Sequence, residues 1–221
     1  MDGVGTIVDT SEIPLDPARA LPRDWFARPA VEVARDLLGA ILVSMVGGEL
    51  VAGVLVEVEA YGGPEDPASH AARYRNGPAR VMWGPPGHAY VYRAYGVYPC
   101  CNIVTDPDGT AGAVLLRAAM PLAGHAIMRQ RRERSRRAGY RLAEHRLASG
   151  PGALAQAFGI ALDHHGLPID RPPFWIQSGS SPQRVASTPR IGISRGQEFL
   201  WRFVIPGHPA VSGRTPRLVT E

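Results

Sequence analysis

The segment V-E-V-E-A-Y at 56–61 places two carboxylates just ahead of a tyrosine. The segment Y-V-Y-R-A-Y-G-V-Y-P-C-C-N at 90–102 adds four more tyrosines and a single amide. A carboxylate held beside an aromatic ring can position and deprotonate a water, and flat rings can stack on a base. Together they point to chemistry on a nucleobase. Glu59, at a strand end next to Tyr61, is the first candidate for the base that activates water. Glu57 lies two residues away on the same face and competes with it. The plain alternative for either is a solvent-facing residue or an ion pair with one of the many arginines.

Tyr90 and Tyr92 share a strand face, where half-buried packing is the ordinary use of such rings. Tyr95, beside Gly96 at a tight turn, is poorly placed for a core and well placed as a wedge that fills the gap left by an extruded nucleotide. Asn102 lies inside an apolar strand, where an amide without partners costs about 1–3 kcal/mol. It either bonds a neighbouring loop or reads the edge groups of a base. His70 sits in a long loop after Pro64-Glu65-Asp66, as a hydrogen-bonding residue or as a catalyst. Arg129, Arg131, Arg132, Arg134, Arg136 and Arg137 form a charge run with Glu133 interleaved. Such a run is either a solvated helix face or a set of phosphate contacts. The chain has no Walker A, GxGxxG or zinc-ligand spacing, and the pair His164-His165 has no third ligand at a convincing distance. Adjacent Cys100 and Cys101 argue against a disulfide framework.

The elements that must position these groups follow from periodicity and punctuation. Val31, Ala34 and Leu38 fall at helical spacing, and Gly39 stands where a C′ glycine ends a helix. Runs 40–46 and 51–60 read as strands joined at Gly47-Gly48. In the second, alternation puts Val54, Val56 and Val58 on one face and Leu55, Glu57 and Glu59 on the other. Residues 62–86 form a Gly/Pro/Arg-rich loop, long enough to expect a function of it. Runs 89–95, 97–105 and 111–118 read as an antiparallel meander. Residues 121–148 are Arg-rich, with a helix expected to about 138. Gly150-Pro151 opens a short helix that Gly159 closes, and strands are expected at 174–177, 190–193 and 199–205.

At 221 residues, with 45% hydrophobic and 20% charged residues, the chain fits one globular domain. Residues 1–20 read as a flexible arm before a single domain over 21–221. All 24 cationic side chains in the Lys+Arg count are arginine, and the pI is about 9.4. Arginine suits phosphate recognition, while codon usage in a GC-rich genome explains the missing lysine equally well. No apolar run reaches the ~20 residues that span a bilayer, and the N-terminus lacks the pattern of a signal peptide, so a cytoplasmic setting is expected.

Taken in order, these blocks resemble the alkyladenine (3-methyladenine) DNA glycosylase family over roughly residues 34–213. The resemblance runs through A-R-D-L-L-G (34–39), V-E-V-E-A-Y-G-G-P-E-D-P-A-S-H (56–70), G-P-P-G-H-A-Y-V-Y-R-A-Y-G-V-Y-P-C-C-N (84–102), V-L-L-R-A (114–118), S-G-P-G-A-L-A-Q-A-F-G-I (149–160) and T-P-R-I-G-I (188–193). The second and third blocks are the specific ones. The resemblance implies a mixed α/β (α+β) domain, a curved antiparallel sheet with helices around it and a protruding hairpin. It implies Glu59 as the general base and Arg117 as the arginine that helps hold the attacking water. Tyr61, His70 and Tyr92 would be the walls of the base pocket, Asn102 the amide that disfavours the 2-amino group of guanine, and Tyr95 the intercalating wedge. It further implies a monomeric, monofunctional enzyme that needs no metal or cofactor and acts on double-stranded DNA containing damaged purines, leaving an abasic site. Two departures stand out: Gly77-Pro78-Ala79-Arg80 where the family usually has T-P-R-N, and Ala153 where it has a lysine. Both resemble positions near the DNA backbone, which makes Arg80 a candidate phosphate contact beside Arg129 and Arg131 of the charge run. Two other readings remain open: a non-catalytic nucleic-acid-binding module, and a small-molecule hydrolase that uses Glu57 and Glu59 together.

Overall fold

Behind Pro29, apolar residues at helical spacing form α1 (Ala30–Asp36), which buries Ala30, Val33 and Ala34. The chain then reverses at Gly39, whose φ is +86° and whose absent Cβ would run into the Ser180 carbonyl oxygen. Only glycine fits that close approach. The computed structural model describes residues 14–134 and 140–213.

After the reversal come β1 (Ile41–Ser44) and β2 (Val51–Tyr61), paired antiparallel with Ser44 opposite Val51. The meander follows as expected: β3 (Ala89–Ala94), β4 (Tyr98–Val104) and β5 (Ala113–Ala123). Then come α2 (His125–Glu133), α3 (Pro151–Phe158), β6 (Asp170–Arg171), β7 (Phe174–Gln177), β8 (Ala186–Thr188) and β9 (Arg202–Val204). The strands join one antiparallel sheet in the order β3-β4-β5-β2-β1-β7-β6, with β9 on β2 and β8 on β9. This is a single α+β domain. One edge of β2 carries β1 over residues 51–54 and β9 over 57–59. Where the second stretch begins, the register of β2 with β5 shifts on either side of Glu57. A bulge of this kind bends a strand and adds twist, and the sheet curls there. The main core gathers Val33, Leu37, Leu55, Val58, Leu116 and Phe158, all fully buried.

The bulge corrects one expectation. Simple alternation puts Leu55 on the face of Glu57 and Glu59, but Leu55 packs with Val58 and Ala60 in the main core while Val56 joins Ala118 and Val204 in another cluster. Three further differences have local causes. Residues 121–123 extend β5, with Pro121 opposite Gly53, so the helix begins only after Gly124; of the expected helical stretch to 138, residues 135–138 lie outside the described part. Residues 190–193 are not a strand, because the Ile191 amide leaves the ladder to donate to Glu59. Strand β9 is narrower than 199–205 for lack of a partner beyond three residues. Of the N-terminal stretch, residues 1–13 lie outside the described part. Pro14 accepts a bond from Gln177 Nε2 at 2.9 Å, and Pro17–Arg19 form a turn capped by Asp16.

Replacing Gly39 by alanine combines a left-handed backbone with a clash against rigid main chain. Chemical denaturation is expected to show a loss of about 2 kcal/mol or more, whereas alanine at Gly48, where a Cβ meets nothing within 4 Å, loses only the conformational part.

Candidate active site

Register alone assembles the site. Tyr90 lies opposite Asn102, Asn102 opposite Leu115, and Leu115 opposite Glu59, so four strands deliver one cross-strand row. Flanking it, Tyr92 lies opposite Cys100 and Tyr61 opposite Ala113. At the bulge the register passes from Glu57 opposite Ala118 to Val58 opposite Leu116, leaving Arg117 as the extra residue of β5. Its side chain is thereby turned between the two glutamates.

Glu59 is fully buried. Its Oε2 accepts from the Tyr61 hydroxyl at 2.8 Å and from Arg117 Nη1 at 3.3 Å, and its Oε1 from the Ile191 amide at 2.7 Å. Tyr61, Arg117 and Ile191 all line a cavity of about 460 Å³, and so do His70, Tyr92, Tyr95 and Asn102. The carboxylate thus forms the layer directly under the cavity floor. A carboxylate has about four lone-pair sites, so three donors leave room for one water.

The walls are aromatic. The His70 ring meets Tyr92 edge-on with centroids 4.6 Å apart, and Tyr90 lies 5.3 Å from Tyr92. His70 Nδ1 is 2.6 Å from the Tyr90 hydroxyl. Burial, with Arg73 nearby, lowers the His70 pKa, so the imidazole stays neutral at neutral pH. Burial raises the phenols of Tyr90 and Tyr92. Tyr61 is raised well above its ordinary value by burial and then by the Glu59 charge, which keeps its proton available to Glu59. Burial opposes the charge on Arg117, but Glu59 and Glu57 outweigh it and raise its pKa. The Cys100 thiol, also on the cavity, is pushed up by burial to about 11 and stays protonated. Asn102 donates through Nδ2 to the Tyr90 carbonyl at 3.0 Å, which fixes the amide plane.

Three residues, 95–97, link β3 to β4; Tyr95 and Gly96 are the central pair of the turn, with φ of 51° and 70°, and Val97 N closes it on Ala94 O at 3.0 Å. That geometry is a hairpin turn of the primed type. It presents a ring 87% exposed. Its hydroxyl stands 3.5 Å from where a Cβ on Gly192 would be, so the ring reaches across the mouth toward the 191–195 loop.

The phosphate candidates separate from this group. Arg131 donates to the carbonyls of Ala157 and Val46 and to Glu49, and Arg129 to the Leu142 carbonyl and Glu133. Arg131 thereby ties α2 to α3 and to the β1–β2 turn, and Arg129 ties α2 to the segment at Leu142. Arg80 is exposed on the short 3-10 segment Gly77–Trp83, away from the cavity lining. Besides the buried Arg117, the arginines lining the cavity are Arg73 and Arg195, both exposed. Among the described residues no three His, Cys, Asp or Glu side chains converge on a metal position, and no helix is long and apolar enough to cross a membrane.

Sequence reasoning missed Arg190. Buried, it forks onto Asp66 at 2.6 and 2.8 Å, donates to the Ala60 carbonyl, and stacks its guanidinium 4.7 Å from the Tyr61 ring centroid. It ties the long loop, the end of β2 and the 190–196 segment to one another from behind the cavity wall. The run T-P-R-I-G-I marked the place, yet nothing local in it names an aspartate 124 residues away.

Residues 24–209 match the family model described as methylpurine-DNA glycosylase. A protein of Rhodopseudomonas palustris (strain BisB18), provisionally named a 3-methyladenine DNA glycosylase, is 45% identical over 192 residues, covering 87% of this chain and 90% of its own. Relatives with the same provisional name are 42% identical in Methanocella arvoryzae (89% and 97% covered) and 44% identical in Nitrosospira multiformis (85% and 91% covered).

Burial raises the Asp66 pKa, but the Arg190 bonds and two backbone amides outweigh it and hold it below the ordinary 3.8. A depressed acid stabilises the fold above its unfolded value, and that contribution is lost as pH falls through the folded one. Asp66→Asn, which strands a buried guanidinium, is expected to cost about 3–5 kcal/mol at neutral pH. It should also flatten the dependence of stability on pH below about 4, both read by urea unfolding across pH.

Proposed function

Because the chain belongs to the methylpurine-DNA glycosylase family and so is a 3-methyladenine-type DNA glycosylase acting on DNA, we propose that it flips an alkylated or deaminated purine out of the duplex. We further propose that a water activated by Glu59 hydrolyses the N-glycosidic bond. The observation that carries this reading is the buried Glu59, whose oxygens are held by three residues that line an aromatic cavity. In this scheme a water enters beside Glu59 and gives it a proton as its oxygen bonds to C1′. The C1′–N bond breaks, its electron pair leaves with the base, and an abasic site remains. Arg117 orients the carboxylate and the water. The cavity lies within the ~300–1,000 Å³ of small-molecule pockets. Its tyrosines favour a cationic base such as 3-methyladenine or 7-methylguanine through cation–π contact. Hypoxanthine belongs to the same class because it pairs poorly and so is extruded at less cost.

Tyr95, standing clear of the surface, takes the wedge role, Tyr61, His70 and Tyr92 enclose the base, and Asn102 screens its edge. Arg73 and Arg195 at the mouth take the phosphate contacts, with Arg80 on the same loop as Arg73 as a more distant one. The protein acts as a monomer in this reading. A small-molecule hydrolase working through both glutamates fits less well, because the oxygens of Glu57 accept from Arg117, Arg202 and Ser212, of which only Arg117 lines the cavity, whereas all three donors to Glu59 do.

The decisive experiment offers a duplex with one 3-methyladenine or hypoxanthine and scores alkali-labile sites. Glu59→Gln is expected to lower the single-turnover rate about 10²- to 10⁴-fold while duplex binding persists; full activity would refute the assignment. Tyr95→Ala should slow excision from duplex more than from single strands. Arg195→Ala should reduce the slope of log affinity against log salt by about one unit whatever the lesion.

A further inference from the structure

Beneath Glu59 lies a second buried glutamate for which the scheme above has no task. Glu57 is fully buried and absent from the cavity lining. Three donors converge on its Oε1: Arg117 Nε at 2.9 Å, Arg202 Nε at 2.7 Å and Ser212 Oγ at 3.0 Å. Its Oε2 takes the Ser212 amide at 2.6 Å. We propose that Glu57 is a positioning residue for the glycosylase reaction, fixing Arg117 through Nε so that only one of its terminal nitrogens, Nη1, engages Glu59. The inference rests on the reading of Glu59 as the base.

The reasoning is geometric. A guanidinium is a planar fork that prefers to meet a carboxylate with two parallel N–H bonds. Arg117 does not do this to Glu59: Nε goes to Glu57, Nη1 to Glu59 at 3.3 Å, and Nη2 to Ser212 Oγ at 3.4 Å. Glu57 holds the fork at its inner end, so Glu59 receives one long bond and keeps a lone pair for the water. Without the Glu57 charge the fork can turn onto Glu59, occupy both oxygens and displace the water site. The other partner of Glu57 does not depend on it in the same way. Arg202 also donates to Thr188 Oγ1 at 3.1 Å and to the Ser212 carbonyl at 2.9 Å. The bulge that makes Arg117 the extra residue of β5 lies at Glu57 itself, so the backbone irregularity and the charge serve one placement.

The test measures single-turnover excision at saturating enzyme, duplex affinity and thermal unfolding for Glu57→Gln, Glu57→Asp, Arg117→Gln and the double variants. Glu57→Gln is expected to slow excision on the order of 10²-fold with duplex affinity unchanged. Added to Arg117→Gln, it should cause no further loss, because groups acting through one another are not additive. A Glu57→Gln rate equal to the unsubstituted enzyme, or losses that multiply in the double variant, would overturn the proposal. Where Glu57→Gln lacks a cooperative melting transition, Glu57→Asp carries the same comparison, since it keeps the charge and withdraws it from Nε by one methylene. Undiminished excision by Glu59→Gln would instead bring down the reading of the site itself.

Discussion

The structure depends on a guanidinium held between two carboxylates inside a sheet. Glu57 and Glu59 are both fully buried, and Arg117 is 7% exposed. Two like charges two residues apart on one strand repel strongly where water cannot screen them. A buried anion also loses its hydration unless cations and donors replace it. Arg117 from β5, Arg202 from β9 and Ser212 supply that replacement. The carboxylates can therefore be buried only once β2 has paired on both edges. The bulge is the cost in sheet regularity of putting an arginine where alternation would not. The charged layer and the curl of the sheet have one cause.

A second buried pair does for the loops what this layer does for the strands. Residues 62–86 hold little regular structure beyond the short 3-10 segment, and ordering so long a segment costs conformational entropy at every residue. Asp66 offsets part of that cost. It caps the Gly62 and Ala68 amides and receives the fork of Arg190. His70 follows four residues later, and the Ile191 amide on Glu59 belongs to the residue right after Arg190. One ion pair thus anchors a wall of the cavity and a donor to its floor, although neither partner lines the cavity.

What could be read from the sequence were the local rules. Gly/Pro punctuation located β1, β2, the meander and α3, and the strand ends put Glu59, Tyr61, Tyr92 and Asn102 in the right elements. Two kinds of information were not legible. A bulge leaves no trace in a hydrophobic pattern, because one inserted residue shifts the period without changing composition; Leu55 was therefore placed on the wrong face. Arginine partners are equally silent. Arg129 and Arg131 stand two residues apart in one run, yet one bonds a carbonyl 13 residues on and the other a carbonyl 85 residues back, and Arg190 forks onto an aspartate 124 positions away. Charge runs invite a solvent or phosphate reading because their acceptors are backbone oxygens, which no sequence spells out.

The tyrosines at 61 and 95 show the two ways a ring is committed. Tyr61 is cavity wall and hydrogen-bond donor to Glu59 at once, and its raised pKa ensures that it gives a proton to the bond rather than competing as an anion. A ring stacked against it from the cavity side therefore bears on the orientation of the carboxylate. Tyr95 is the opposite case. Its φ of 51° costs a non-glycine residue about 1–2 kcal/mol, and glycine or asparagine would close the same turn with less strain. Little of the ring is buried to repay that strain. The packing of the fold does not account for a large aromatic held at such a position against the preference of the backbone, and its reach toward Gly192 sets it at the mouth of the cavity.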